Sequence, residues 1–286
     1  MSDKRSLQDR LEVVTKRWWF WLIVVLVQCV PPITSFKYDP SRTSGVIGSI
    51  LGNAYAFRPE WRALYPVLNS LAIIMLAGVF IFRNRWGRAF ALYAGLSYVL
   101  FAIVQNMAQL PNGYGIVANN AITFLLVGLV WFLEAGARKT DLRAMRFTPG
   151  RVWLIPLAAM AFWHPVKYPT MAPDFSPMHA IFGPTGVEFC LMTPAFLAVL
   201  ILCYPRVNVV TLRVTGVFGT IIALYNIMFM AMYLDRLWWN GVLHTLMLVI
   251  SLYAVVLGYK RQPAPEIPAE EATHAGQIER PVATDI

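Results

Sequence analysis

Long apolar stretches separated by short polar segments dominate the chain. Each is near the roughly 20 residues that a helix needs to cross the hydrocarbon core of a bilayer. We predict eight membrane spans, at residues 18–35, 64–82, 89–110, 116–135, 152–165, 187–203, 209–233 and 241–259. The pattern therefore predicts an all-α integral membrane protein with eight transmembrane helices.

The eight stretches fall into two sets of four, in which similar residues recur in the same order. The recurring pairs are Lys37 and Lys167, Tyr38 and Tyr168, Glu60 and Glu188, Pro66 and Pro194, Gly95 and Gly216, Ala102 and Ala223, and Gln105 and Asn226. An even number of spans gives both sets the same orientation in the membrane. We therefore predict two tandem four-helix repeats related by a pseudo-two-fold axis along the membrane normal.

The segments outside the predicted repeats differ in composition. The predicted divisions are a cytoplasmic amphipathic segment at 1–17, the first four-helix membrane repeat at 18–135, a basic cytoplasmic linker at 136–151, the second repeat at 152–259, and a disordered cytoplasmic tail at 260–286. Leu7, Leu11 and Val14 make the apolar stripe of the first segment. The tail is rich in Pro, Ala and Glu and has no pattern that forms a core.

Two of the connecting segments also carry local signals. Residues 36–62 include Val46, Ile47, Ile50 and Leu51 at helical spacing, which predicts a short helix lying at the outer leaflet. Pro111, Asn112 and Gly113 predict a tight turn between the third and fourth spans.

Composition and charge exclude several classes of protein. Hydrophobic residues make up 58% of the chain and charged residues only 14%, against about 25% in soluble domains. The net charge of +9 does not indicate nucleic-acid binding, because most Lys and Arg residues fall on one predicted side of the membrane. The exceptions are Lys37, Arg42, Arg58, Arg62, Lys167 and Arg236. We predict a multi-pass protein of the cell (inner) membrane with both termini in the cytoplasm.

Familiar catalytic motifs are absent from the sequence. It contains no phosphate-binding GxxxxGK[ST] loop, no HExxH zinc motif and no GxSxG nucleophile elbow. Cys29, Cys190 and Cys203 lie in or beside apolar spans and form no CxxC pair. A disulfide scaffold or a zinc ribbon is therefore not expected, and the sequence leaves the identity of any cofactor unknown.

A repeated arrangement of Lys and Glu marks the outer ends of the predicted spans. Lys37 and Lys167 follow the first helix of each repeat, and Glu60 and Glu188 begin the second. These side chains could line a pocket for an amphiphilic or anionic ligand. They could equally form ion pairs, Lys37 with Glu60 and Lys167 with Glu188, which lower the cost of a charge near lipid.

Other polar residues fall at the same depth or inside the spans. His164 and His244 lie at the outer ends of spans five and eight, where imidazoles could bind a metal or merely hydrogen-bond loop carbonyls. They come from separate elements, so their spacing is not diagnostic and no metal site is predicted. Gln105 and Asn226 could bind a ligand between the repeats or fasten neighbouring helices.

Three functions are compatible with these features. The preferred hypothesis is a carrier or binder of a small amphiphilic molecule, with membrane lipid around it and an outward-facing site between the repeats. The alternatives are an integral-membrane enzyme that acts on a lipid-like substrate through outer Glu and His groups, and a membrane anchor or accessory subunit of a larger complex, of which a redox complex is one case. If the site is functional, His164, Glu188 and His244 are expected to converge with Lys167 close by.

Overall fold

A computed structural model describes residues 7–168 and 170–260 and is mostly helical. The helices are α1 (Leu7–Val14), α2 (Trp18–Gln28), α3 (Thr43–Gly52), α4 (Pro59–Arg62), α5 (Tyr65–Phe82), α6 (Asn84–Val104), α7 (Ala118–Ala137), α8 (Pro149–Val152), α9 (Leu154–Trp163), α10 (His179–Phe182), α11 (Phe189–Cys203), α12 (Val209–Ala231) and α13 (Leu234–Tyr259). The strands are β1 (Ile33–Thr34), β2 (Met107–Leu110), β3 (Gly113–Ile116), β4 (Val166–Lys167) and β5 (Ala172–Pro173). Short 3-10 turns lie at Pro40–Arg42, Tyr55–Phe57, Leu142–Ala144 and Thr185–Val187.

Five helices are long and apolar enough to cross a membrane. They are α5, α6, α7, α12 and α13, with 18, 21, 20, 23 and 26 residues. At 1.5 Å per residue, even the shortest extends about 27 Å, close to the roughly 30 Å of the hydrocarbon core. The structure thus fits the predicted all-α, multi-pass membrane protein, and spans two, three, four, seven and eight are confirmed as apolar helices.

The predicted count of eight spans is wrong for the described residues. Spans one and five are α2 and α9, with 11 and 10 residues, and each extends only about 15 Å. Pro31 and Pro32 follow α2, and α9 ends at His164, which has a left-handed backbone (φ 46°) and precedes Pro165. Span six is α11, with 15 residues, and it reaches spanning length only together with His179–Val187, across a bend of 93°. Among the described residues, five helices, or six if this bent pair counts as one, are long and apolar enough to span a membrane, which does not fit the eight-helix tandem repeat.

The helix α11 forms the centre of the molecule. All of its residues are buried, and it packs against α6, α9, α12 and α13. Phe196 of α11 makes ring contacts with Phe90, Tyr93, Tyr98 and Trp131 from α6 and α7. Protein rather than lipid therefore surrounds α11, although its sequence is as apolar as that of a lipid-facing helix.

The bundle has two chemically different ends. One end, called the basic end below, carries α1, the Arg83–Asn84 junction, residues 138–152 and residues 204–208. The opposite end, called the hairpin end, carries residues 29–64, the β2–β3 hairpin and residues 164–188. Every long helix runs between these two ends, so each end brings together segments that are distant in sequence.

A small antiparallel sheet covers part of the hairpin end. β3 pairs with both β1 and β2, and α3 packs on β2. The predicted turn at residues 111–113 is confirmed, and Gly113 has φ 139°, a conformation that a side chain would disfavour. The short helix predicted within residues 36–62 is confirmed as α3. Residues 107–110 and 116, however, are strand and not the helix ends that their apolar character predicted.

At the basic end, α1 lies within the predicted amphipathic segment at residues 1–17, and this segment joins the bundle through hydrogen bonds. Arg213 of α12 is fully buried and donates to the Gly258 carbonyl and to Thr15 Oγ1, at distances of 2.6–3.0 Å. Asn208 donates to Gln8 Oε1 over 3.1 Å. The first six residues and the predicted disordered tail from residue 261 lie outside the described residues.

The orientation in the membrane stays a prediction with a direct test. In a Cys29→Ser background, which removes the exposed cysteine and leaves two buried ones, Lys139→Cys and Pro173→Cys place single accessible thiols at opposite ends. Because basic segments stay in the cytoplasm, an impermeant maleimide should label Pro173→Cys on intact cells and Lys139→Cys only after lysis. The reverse labelling pattern would invert the orientation.

Candidate functional site

A cavity opens at the hairpin end between the two halves of the chain. Its volume is about 400 Å³, within the range of typical ligand sites. It is lined by Phe57, Arg62, Tyr65, Lys167, Tyr168, Met178, His179, Phe182, Gly183 and Pro184. The 3-10 turn Tyr55–Phe57, α4 and α5 supply the first-half residues, and the segment from β4 to the turn after α10 supplies the others. This space is called the hairpin-end cavity below.

The lining of this cavity carries unpaired positive charge. Arg62 and Lys167 are both exposed, and neither forms an ion pair with any described carboxylate. His179 Nε2 lies 3.1 Å from Asp174 Oδ2, and this contact, together with the Ser176 N–H, lowers the pKa of Asp174. The Asp174 carboxylate therefore already has partners, while the two long cations are available to a ligand.

Glu188 lies behind the tyrosines of the cavity, at the N-terminal end of α11. It is only 8% exposed, and its Oε1 has no hydrogen-bond partner among the described residues. It interacts electrostatically with Tyr65, Tyr168 and Cys190. A buried carboxyl oxygen without a partner is costly, and such groups in a cleft are candidates for function.

The predicted Lys–Glu ion pairs do not form. Lys167 and Glu188 are not paired, and Lys37 and Glu60 are both exposed without a described partner. Neither Lys37 nor Glu60 lines the hairpin-end cavity. The ion-pair interpretation is therefore wrong for this structure. Of the four predicted residues, only Lys167 lines the cavity, and Glu188 is buried next to two of its tyrosines.

His164 and His244 meet through Asn240. His164 Nε2 lies 3.3 Å from Asn240 Oδ1, and His244 Nδ1 lies 2.9 Å from the Asn240 carbonyl. The His164 ring is 6.0 Å from the Tyr168 ring, which places it beside the cavity residues. Within the described residues, no three His, Cys, Asp or Glu side chains are close enough to hold a metal. The histidines thus adjoin the site and do not form a metal centre.

Gln105 and Asn226 both contact the first turn of α11. Gln105 Oε1 accepts a hydrogen bond from the Phe189 N–H over 3.0 Å, which satisfies one of the free amides that begin a helix. Asn226 Nδ2 donates to the Ile222 carbonyl over 2.8 Å and lies 3.7 Å from Cys190 Sγ. These contacts agree with the fastening role that was one of the two predicted alternatives.

An apolar groove runs down the side of the bundle between α5 and α9, with α11 as its floor. Its volume is about 490 Å³. It is lined by Ile73, Leu76, Ala77, Phe80, Ile155, Ala158, Ala159, Phe162, Trp163, Ala180, Ala195, Ala198, Val199 and Leu202. The many alanines leave the space that larger side chains would fill. This space is called the lateral groove below.

The helix α10 stands between the cavity and the groove. His179 and Phe182 line the hairpin-end cavity, whereas Ala180 lines the lateral groove. Asn69 of α5 holds this segment: its Nδ2 donates to the carbonyls of Ile181 and Gly183, and its Oδ1 accepts from the Gly186 N–H. A charged cavity and an apolar groove thus share one short wall.

Several residues at the site were not predicted from the sequence. Arg62, Tyr65 and Tyr168 line the cavity, Asn240 joins the histidines, and Asn69 holds α10. The sequence did contain a signal for Tyr168, because the pair Lys167–Tyr168 repeats the pair Lys37–Tyr38. The contacts of Asn69 join positions more than 110 residues apart, and no local pattern encodes them.

Comparison with protein-family models, with curated proteins and with solved structures found no match. A functional assignment therefore depends on the contacts and charges described above.

Proposed function

We propose that this multi-pass membrane protein binds an amphiphilic molecule that has an anionic headgroup and a long apolar chain. The headgroup occupies the hairpin-end cavity and the chain lies in the lateral groove. The observation that carries the proposal is the position of α10, which separates a space with two unpaired cations from a space lined by alanine and other apolar residues. Ligand sites of this kind combine a mostly apolar surface with a few placed polar groups.

The charges favour an anion over a cation. Arg62 and Lys167 line the cavity without an ion pair to a described carboxylate, and Arg in particular binds carboxylate or phosphate oxygens through two parallel N–H groups. Glu188 is buried next to two of the lining tyrosines and does not line the cavity itself. The charge of the two cations is therefore what selects the headgroup.

The cavity takes residues from two distant parts of the chain, so the fold and no local motif assembles it. Arg62 and Tyr65 come from α4 and α5, and Lys167 and Tyr168 from β4 and the residue after it. On the predicted orientation, the cavity faces outward and the basic end faces the cytoplasm. The protein would then take its ligand from the outer leaflet of the cell membrane, either to hold it or to carry it inward.

Removal of both cations should weaken binding of an anionic amphiphile. We expect a long-chain alkyl phosphate to bind the purified protein, and the Arg62→Gln/Lys167→Gln variant to bind it at least tenfold more weakly, because each charge-assisted hydrogen bond contributes about 1.5–3 kcal/mol. Fluorescence displacement or calorimetry in an uncharged detergent measures this.

The control for this experiment is Arg236→Gln, which removes an exposed cation next to Asp235 that does not line the cavity. An alkyl trimethylammonium of the same chain length tests the sign of the charge. Equal binding of both probes, or equal weakening in the control variant, would contradict an anion site at this cavity.

An enzymatic function is the second candidate, and one observation favours it. Glu188 is a buried carboxyl next to Tyr168, and the ring of His164 lies beyond that tyrosine, so potential acids and bases are close together. Turnover of a lipid-like substrate that is lost in Glu188→Gln, with binding retained, would identify an enzyme.

A role as an accessory subunit stays a prediction, and native mass spectrometry of gently extracted protein would detect a retained partner.

A further inference from the structure

A second cleft lies at the basic end, on the opposite side of the bundle from the hairpin-end cavity. Its volume is about 270 Å³. It is lined by Asn84, Gly87, Arg88, Phe90, Ala91, Trp131, Glu134, Arg138, Thr140, Asp141, Leu142 and Leu200. Apolar side chains form one part of this lining, and two arginines and two carboxylates form much of the rest. It is called the basic-end cleft below.

Both carboxylates of the cleft are already satisfied by the protein. Glu134 is buried, its Oε1 accepts from the Thr140 N–H over 2.8 Å, and its Oε2 accepts from Asn208 Nδ2 over 2.7 Å. Burial by itself would raise the pKa of Asp141. Hydrogen bonds from Asn84 and the Arg143 N–H, together with the charge of Arg206, outweigh this effect and lower the pKa below its usual value. Neither carboxylate makes an ion pair with an arginine of the cleft: the partners of Glu134 are neutral groups, and Asp141 pairs with Arg206 over 3.6 Å.

The guanidinium groups of the two arginines, in contrast, have no partner in the part of the chain that the structure describes. Arg88 is on the second turn of α6, and Arg138 directly follows α7. Both are exposed, and neither guanidinium group makes a hydrogen bond, ion pair or ring contact within the described residues, although the Arg138 N–H donates to the Glu134 carbonyl. Two guanidinium groups that line one cleft without an ion pair are available to the oxygens of one anion.

We infer that the basic-end cleft binds a phosphate group. Guanidinium groups match phosphate oxygens in geometry as well as in charge, and the apolar floor formed by Phe90, Trp131 and Leu200 excludes water beneath them. The phosphate belongs either to a soluble compound or to the headgroup of an anionic phospholipid, because the basic end lies where the membrane surface meets water. This site is independent of the hairpin-end cavity and does not rest on the proposed function.

Arg138 allows a test that separates binding from folding. Its backbone is left-handed (φ 51°, ψ 39°) at the C-terminal end of α7, where glycine is the preferred residue. Arg138→Gly therefore removes the guanidinium group while it relieves the backbone, so the variant should be at least as stable as the parent protein. Arg88→Gln removes the other guanidinium group. Arg85→Gln is the matched control, since it removes the same charge from the same end but does not line the cleft.

Two probes distinguish the source of the phosphate. Inorganic phosphate is titrated against the full-length protein in uncharged detergent, and the thermal midpoint is followed. Separately, the protein is placed in nanodiscs that contain equal amounts of phosphatidylglycerol and phosphatidylcholine, and the lipid retained on extraction is measured by native mass spectrometry. Loss of one charge-assisted contact should weaken binding about tenfold.

Each outcome is decisive. A phosphate-dependent rise in midpoint in the parent and in Arg85→Gln, reduced in Arg88→Gln and Arg138→Gly, supports a site for soluble phosphate. Selective retention of phosphatidylglycerol that is lost in the same two variants, without a response to inorganic phosphate, supports a headgroup site. Equal behaviour of all four proteins, or no preference for either probe, overturns the inference.

Discussion

An Asn69→Ala variant is expected to lose about 3 kcal/mol of unfolding free energy and most of its affinity for an alkyl phosphate. The Asn69 side chain is fully buried in α5. Its amide donates to the carbonyls of Ile181 and Gly183 over 3.0 and 2.9 Å and accepts from the Gly186 N–H over 2.7 Å. Alanine leaves these three backbone groups unpaired, and each unsatisfied buried group costs about 1–3 kcal/mol before the structure relaxes.

The loss of affinity follows from the position of these three groups. They belong to α10 and the turn after it, the wall between the hairpin-end cavity and the lateral groove. With only four residues, α10 has too few internal hydrogen bonds to keep its place alone. Without Asn69, the cations and the apolar lining would no longer hold the positions that a single ligand requires.

The matched control is Asn119→Ala in α7. The Asn119 side chain is also buried, but its Oδ1 has no hydrogen-bond partner in the described part of the protein. Its removal should cost little stability and leave ligand affinity unchanged. Denaturant titration in mixed micelles measures the stabilities. Equal losses in the two variants would show that the contacts of Asn69 do not hold the site.

Hydrophobic periodicity and length identified the helices that can be recognised from the sequence without knowledge of their tertiary contacts. α5, α6, α7, α12 and α13 each carry an uninterrupted apolar run, and no tertiary contact is needed to recognise them. The same criterion failed for α2 and α9. Their apolar runs continue past the prolines and the left-handed His164 that end the helices, so hydropathy predicted spans longer than the backbone forms.

Burial of apolar helices inside the protein is a second reason why the prediction of eight spans failed. α11 is enclosed by other helices, and apolar side chains suit a protein interior as well as they suit lipid. Hydropathy therefore cannot distinguish a 15-residue central helix from a span. The strands at 107–110 and 113–116 are similar, because their hydrogen bonds join positions that only the turn at 111–112 brings together.

The candidate site was found in part, for reasons that individual residues make clear. Lys37, Glu60, Lys167 and Glu188 were predicted together, from their recurrence at helix ends, but only Lys167 and Glu188 lie near Tyr168, where His164 also lies. Recurrence in the sequence therefore did not predict which of the four residues lie together. Arg62 was missed because an exposed arginine has no local signal, and only the fold shows that it lines the cavity.

The second large effect is expected from Ala159→Trp, which should abolish binding of the apolar chain of the ligand while leaving the protein folded. Ala159 is an exposed residue of α9 that lines the lateral groove. An indole at this position occupies space within a groove of about 490 Å³ without entering the packed core. Substitutions at such exposed positions usually change stability by no more than about 0.5 kcal/mol.

The dependence of affinity on the length of the ligand's alkyl chain separates this prediction from a general loss of function. In the parent protein, each added methylene of an alkyl phosphate should improve binding by up to about 0.8 kcal/mol, because it leaves water for the groove. In Ala159→Trp this gain should disappear, so that long-chain and methyl phosphates bind alike through Arg62 and Lys167. Leu252→Trp adds an indole to an exposed position of α13 away from the groove and should keep the parent chain dependence. If Ala159→Trp retains that dependence, the chain does not lie in the lateral groove, even if the cations bind the headgroup.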